Sequence, residues 1–148
     1  MKCGQTFFPD LPNGLMKTDP PIVLAQVPVN VADIKNPIVK VDLSQIVRIE
    51  QSGLNFGFSL IFNLVRSKAD TSQSIVLNTF VLQTMVSAPV PLSFSSDQPN
   101  NYQFCDRPSP SDGTSLLYTF ELAEVQLVNT SYTISDVDFS TLISSEIK

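Results

Sequence analysis

From Asn55 to Arg66 the chain reads NFGFSLIFNLVR, with Phe56, Phe58, Leu60, Phe62 and Leu64 at alternate positions. Strand side chains alternate between faces, so a strand puts all five on one side, whereas a helix would scatter them around its circumference. The opposite face carries Asn55, Gly57, Ser59, Ile61, Asn63 and Val65, a mixed set suited to water or to a second chain. Five large apolar groups on one face require cover, and a facing sheet is the natural one.

The same period recurs on both sides of this segment. Residues 22–31 form a first strand with Val23, Ala25, Val27 and Val29 on one face, and Pro28 confines it to an edge or a bulge. Asn36-Pro37 starts a turn. Val39, Val41 and Leu43 then alternate with Lys40, Asp42 and Ser44, and residues 45–50 continue this strand past a bulge. Ser52-Gly53 turns the chain into the central strand. Residues 67–74 read as a polar hairpin loop, residues 75–86 as a long β-branched strand, and the two prolines of 87–91 as its end. Leu92 and Phe94 begin a short strand. Residues 95–114, rich in Ser, Asn, Asp, Pro and Gly, read as the longest loop, with Tyr102 and Phe104 as an apolar interruption. Residues 115–128 place Leu116, Tyr118, Phe120 and Leu122 on one face; helix competes over 120–127, but the alternation favours strand. A turn at 129–131 leads to strands at 132–134 and 137–143. The expected fold is all-β: an antiparallel, jelly-roll-like β-sandwich of eight to ten strands, with a core that also draws on Phe80, Leu82 and Phe94.

Residues 1–21 have no period, four prolines and two adjacent phenylalanines, Phe7 and Phe8. They read as an arm on a single sandwich domain over 22–148. Such apolar side chains dock, either on their own sandwich or on a neighbour's. Docking on a neighbour would cap an open sheet edge in trans and carry Cys3 to an intermolecular contact.

Composition removes function classes more readily than it suggests one. No run approaches the roughly 20 apolar residues of a membrane span, and the proline- and glycine-broken N-terminus does not read as a signal peptide. The net charge of −5 disfavours nucleic acid and anionic membrane as partners. Residues 1–68 hold seven basic and five acidic side chains, residues 69–148 two basic and nine acidic, or +2 against −7. This fits either ordinary scatter over interleaved strands or a dipolar subunit made for head-to-tail contact. With no histidine, the usual general base and zinc ligand are missing. There is no Gly-x-Ser-x-Gly elbow to activate a serine, and the chain does not read as an enzyme.

Several fragments together resemble a family of short proteins of unknown function from spore-forming Firmicutes that open on a Cys-Gly pair. They are Cys3-Gly4, the Asn36–Ser44 segment NPIVKVDLS, Leu64-Val65-Arg66, Ser93-Phe94-Ser95 and Cys105-Asp106. Relatives often carry a cysteine cluster after the Cys-Asp pair; here Arg107-Pro108-Ser109 follows. The resemblance implies compact jelly rolls of the tumour-necrosis-factor and complement-C1q type, set at a spore or cell surface and often trimeric.

The two thiols, Cys3 and Cys105, admit an intrachain disulfide, intermolecular pairing or separate free thiols. Asp97, Asn100, Asn101, Asp106 and Asp112 supply oxygen ligands without the spacing of a calcium loop, and Asp136 and Asp138 share a strand face; all read as turn and surface acids. No metal or cofactor is expected, and Asn129-Thr130-Ser131 is a sequon that reads as a plain turn. The expected function is a non-enzymatic structural subunit that self-associates as a homo-oligomer or fibre in a spore or cell surface layer, without membrane insertion. The alternatives are a carbohydrate- or protein-binding module using Tyr102 and Phe104 in the 95–114 loop, a virion capsid-like jelly roll, and a cytoplasmic location.

Overall fold

A computed structural model describes residues 1–146 of the chain. Its strands are β1 (Lys2–Cys3), β2 (Gln5–Thr6), β3 (Ile22–Asn30), β4 (Pro37–Lys68), β5 (Ser74–Asp106), β6 (Ser115–Val128) and β7 (Thr130–Ser145), with one 3₁₀ turn at Pro110–Asp112. All pairings are antiparallel. The architecture is the expected all-β, jelly-roll-like sandwich, nearly closed into a barrel.

β4 explains the shape. Its buried side chains are at odd positions from Val39 to Gln51 and at even positions from Phe56 to Leu64, with only the side-chain-less Gly57 buried between them. A straight strand cannot change parity, because successive side chains alternate faces. The switch falls at Gly53, whose φ of +110° is open to glycine and strained for other residues. Residues 37–51 pair with β7 on one side, and residues 57–68 pair with β6. β5 follows β4 through both regions, and its residues 88–91 bulge opposite Leu54. One long hairpin thus serves two layers: β5–β4–β7–β1 and β5–β4–β6–β3–β2.

Among the described residues the strands number seven against the expected eight to ten: Ser52-Gly53 and residues 87–91 bend the chain without reversing it, residues 130–145 run on as one strand, and β1 and β2 come from the arm. The loop expected over 95–114 shortens for the same reason: residues 95–106 are strand, paired with β4 from Glu50 to Val39. Proline and asparagine are tolerated there because this half of β5 is an edge. The bulge expected in β4 near Gln45 lies in the facing strand, where β7 carries an extra residue beside Asp136 (φ +51°).

Between the layers, Phe56, Phe58, Leu60, Phe62 and Leu64 are buried, as their alternation predicts, and the Phe62 ring stacks on Phe120 at 5.3 Å. Val39, Val41, Leu43, Val47 and Ile49 line the other layer. Phe80 and Leu82 are only partly buried, and Phe94, expected in the core, is 44% exposed. Among the described residues β5 has no second neighbour strand, so its side chains are covered from one side only.

The arm lies on its own sandwich. β1 pairs with β7 and β2 with β3, and Gly4 N–H donates to the Phe139 carbonyl at 2.6 Å between them. A Cβ on Gly4 would stand 2.8 Å from the Gln26 carbonyl oxygen and 2.9 Å from that of Phe139, so only glycine fits this seam. Leu15 exchanges two backbone hydrogen bonds with Val125, and the Tyr132 hydroxyl donates to the Pro12 carbonyl at 2.7 Å. Phe7 is half-buried, its N–H donating to Leu24; Phe8 is exposed.

Candidate functional site

Cys3 and Cys105 are both exposed free thiols. They lie on one layer with β7 and β4 between their strands, opposite Ser140 and Lys40 respectively. Three strand spacings of about 4.8 Å set their strands roughly 14 Å apart, twice the reach of a disulfide, and the two residues are offset by a further two positions along the strands. The intrachain disulfide left open by the sequence is thereby excluded in this fold.

Tyr102 and Phe104 belong to strand and not to an open loop, and they point inward. The Tyr102 ring stacks on Phe80 at 4.0 Å, its hydroxyl donates to Asn100, and both residues pack against the core. The stack fills the slit where the two halves of β5 face each other. Both rings are thus engaged within the sandwich and stay partly exposed.

The densest chemistry lies at the ends of three strands. Arg66 (β4) is 7% exposed and donates to Asp106 (β5) at 2.5 Å and to Asp112 of the 3₁₀ turn at 3.0 Å. The Tyr118 (β6) hydroxyl donates to the same Asp106 oxygen at 2.6 Å. Burial works against the Arg66 charge, but the Asp106 hydrogen bond and the two carboxylates hold the Arg66 proton more firmly than usual. Burial also opposes the Asp112 charge; hydrogen bonds from Ser109 and the cations Arg66 and Lys68 outweigh it and keep that carboxyl below its ordinary range. Burial, then the Asp106 contact, push the Tyr118 phenol far above its ordinary value. Every group here has a partner, so the cluster acts as a latch holding residues 107–114 over the end of the core. It joins two fragments of the sequence resemblance, Leu64-Val65-Arg66 and Cys105-Asp106. Arg66 ends a strict alternation, but nothing local to it signals burial.

The remaining acids stay apart. Asp97 pairs with Arg48 at 3.3 Å on the surface, Asn100 and Asn101 lie in β5, and Asp136 and Asp138 flank the β7 bulge. Among the described residues no three His, Cys, Asp or Glu side chains come together as metal ligands. Asn129 of the sequon makes the β6–β7 turn at φ +46°, its amide donating to the Asn55 carbonyl at 2.7 Å. Gln45 was not expected in the core; it is 1% exposed, and neither amide atom has a hydrogen-bond partner among the described residues.

An open groove of about 680 Å³ lies where β4 changes layers. Glu50, Ser52, Ser93, Ser95 and Ser131 line it beside the exposed Phe94, whose ring meets the buried Phe56 edge-on at 5.2 Å. Sequence periodicity does not reveal the groove, since bends 40 residues apart assemble it.

Fold and surface define a small all-β, antiparallel sandwich with a latched end and no helix long and apolar enough to cross a membrane among the described residues. The chain belongs to the family described as Domain of unknown function (DUF4489), whose model matches residues 1–144. No curated protein and no solved structure matches it.

Proposed function

We propose that the chain is a non-enzymatic structural subunit that self-associates, in a spore or cell surface layer or appendage. One observation carries this reading. Among the described residues, seven of thirteen exposed large hydrophobic side chains lie on β5, including Ile75, Val81, Met85 and Leu92. Scattered apolar residues are ordinary on a surface, but a row along one strand marks a contact. The latch supports the same reading, since it uses its charges for rigidity. The surface setting rests on the family resemblance alone. Light scattering on a dilution series, with and without reductant, tests the reading: a subunit number above one that falls on dilution is expected. A single subunit at every concentration overturns it.

A second reading attaches to the groove at the β4 bend. The serine hydroxyls and the Gln51 and Asn129 carboxamides around the exposed Phe94 suit an uncharged, hydroxyl-rich ligand such as a glycan. Binding on a glycan array that Phe94→Ala abolishes would favour it; an empty array removes it.

A further inference from the structure

The two open sides of the sandwich differ. The β7–β3 side is bridged by the arm through β1, Gly4 and β2. The other side ends on β5, whose outer backbone edge has no partner strand among the described residues along its 33 positions. Unpaired edges invite pairing with another chain, and natural edges are defended by charge, proline or bulges. The half of β5 beyond its central bulge carries such defences, Asp97 and Pro99. The first half has a bulge at Leu77, opposite the Leu64–Val65 step of β4. Between that bulge and Ala88, residues 78–87 read NTFVLQTMVS, with no charge, proline or glycine.

Charge selects the occupant. Copies with a net charge of −5 repel one another, and residues 74–105 hold one of the fourteen acids, Asp97, which Arg48 neutralises. This strip is where two copies meet with least repulsion. The residue order points the same way, for its outer-face positions are chemically symmetric about Gln83. Antiparallel pairing there sets Val81 opposite Met85, Thr79 opposite Ser87 and Gln83 opposite itself on the outer face. Phe80 meets Val86 on the inner face. On the outer face apolar thus faces apolar and hydroxyl faces hydroxyl, as favourable cross-strand pairs require, while on the inner face Leu82 meets Thr84.

We infer that residues 78–88 of β5 pair antiparallel with the same residues of a second copy, about a two-fold axis at Gln83. The inference rests on the self-association reading and adds the surface, the orientation and the register. A two-fold contact is self-complementary, as this strip is. The product is one continuous sheet in which the β3–β6–β4–β5 layers of both copies join.

The test uses the full chain with Cys3→Ser and Cys105→Ser as background. Gln83→Cys should give a covalent dimer with a short bis-maleimide, because opposed residues on a two-fold have Cβ atoms about 5 Å apart. Asn101→Cys, on the defended half of β5, should not. In the native background Val81→Lys places a cation opposite each Met85 and should raise the dimer dissociation constant at least tenfold, with an unchanged melting temperature at monomer concentrations. If the native chain self-associates while Gln83→Cys fails to cross-link and Val81→Lys leaves the subunit number unchanged, this edge is not the contact, and self-association itself survives. If the native chain is a single subunit at all concentrations, both readings fall.

Discussion

At the residue scale, chemistry separates groups that exclude water from groups that hold a position. Phe62 is fully buried against Phe120, so Phe62→Ala should cost about 3–5 kcal/mol. The half-exposed Ser59, three residues away on the other face, should tolerate alanine with little change in a urea titration. Arg66→Ala strands Asp106 in the interior and should cost a similar 3–5 kcal/mol, since the loss of one partner leaves a buried charge uncompensated. Tyr118 also sets an alkaline limit. Its folded phenol releases its proton well above the unfolded value of 10.0, and burial raises Tyr132 to about 12. A raised value means that the stabilising contribution is complete below pH 10 and is lost as pH rises beyond it. Urea midpoints should therefore fall between pH 9 and 11 by more in the native chain than in Tyr118→Phe, which no longer has that group to titrate. Asp112 acts at the other limit: its lowered value means stability present above the ordinary 3.8 and lost as pH falls beneath it. An Asp112→Asn variant should show the weaker acid dependence of the two.

At the scale of elements, one bend and one seam decide whether the strands assemble. Gly53 passes β4 from one layer to the other at φ +110°. Gly53→Ala should destabilise by about 1–3 kcal/mol, the range for a strained backbone, although the side chain has room. The arm closes the β7–β3 side by hydrogen bonds at Gly4, Phe7 and Leu15. Removing residues 1–16 would unpair both edges and uncover the Leu15 site, so a melting temperature lower by several degrees is expected. A deletion that left melting unchanged would show that the arm contributes no stability. Docked this way, the arm no longer needs a neighbour to cover its apolar residues, although Phe8 and Met16 stay exposed.

At the scale of the whole molecule, the sandwich is closed on one side by its own N-terminus and open on the other along β5. The charge contrast noticed between the two halves of the sequence does not become two poles. The two halves interleave, with the net-basic β4 paired to the acidic β6 and β7, so basic and acidic strands lie side by side. Arg48 reaching Asp97 and Arg66 reaching Asp106 are the local result. If the open edge dominates association, the hydrophobic and hydrogen-bonded contact should resist salt. Raising salt from 50 to 500 mM should leave the dimer in place or tighten it by screening the net repulsion; dissociation on adding salt would argue for a charge-driven contact instead.

The alternation from Asn55 to Arg66, and its echoes around Val41 and Phe120, determined the fold class and most of the core. Period-two patterning is local, and burial of one face follows from it. The sequence also marked Gly4, Gly53 and the end of the β4–β5 hairpin as special without showing what each meets. That depended on contacts between distant residues: Gly4 with Gln26 and Phe139, Arg66 with Asp106 and Tyr118, Phe80 with Tyr102. Bends read as turns for the same reason, since Ser52-Gly53 and Pro89–Pro91 break periodicity whether the chain reverses or only changes layers. Whether Ser95 to Asp106 is loop or strand was likewise settled by its partner, because a polar, proline-bearing edge strand is held in register by the β4 backbone and not by its own side chains.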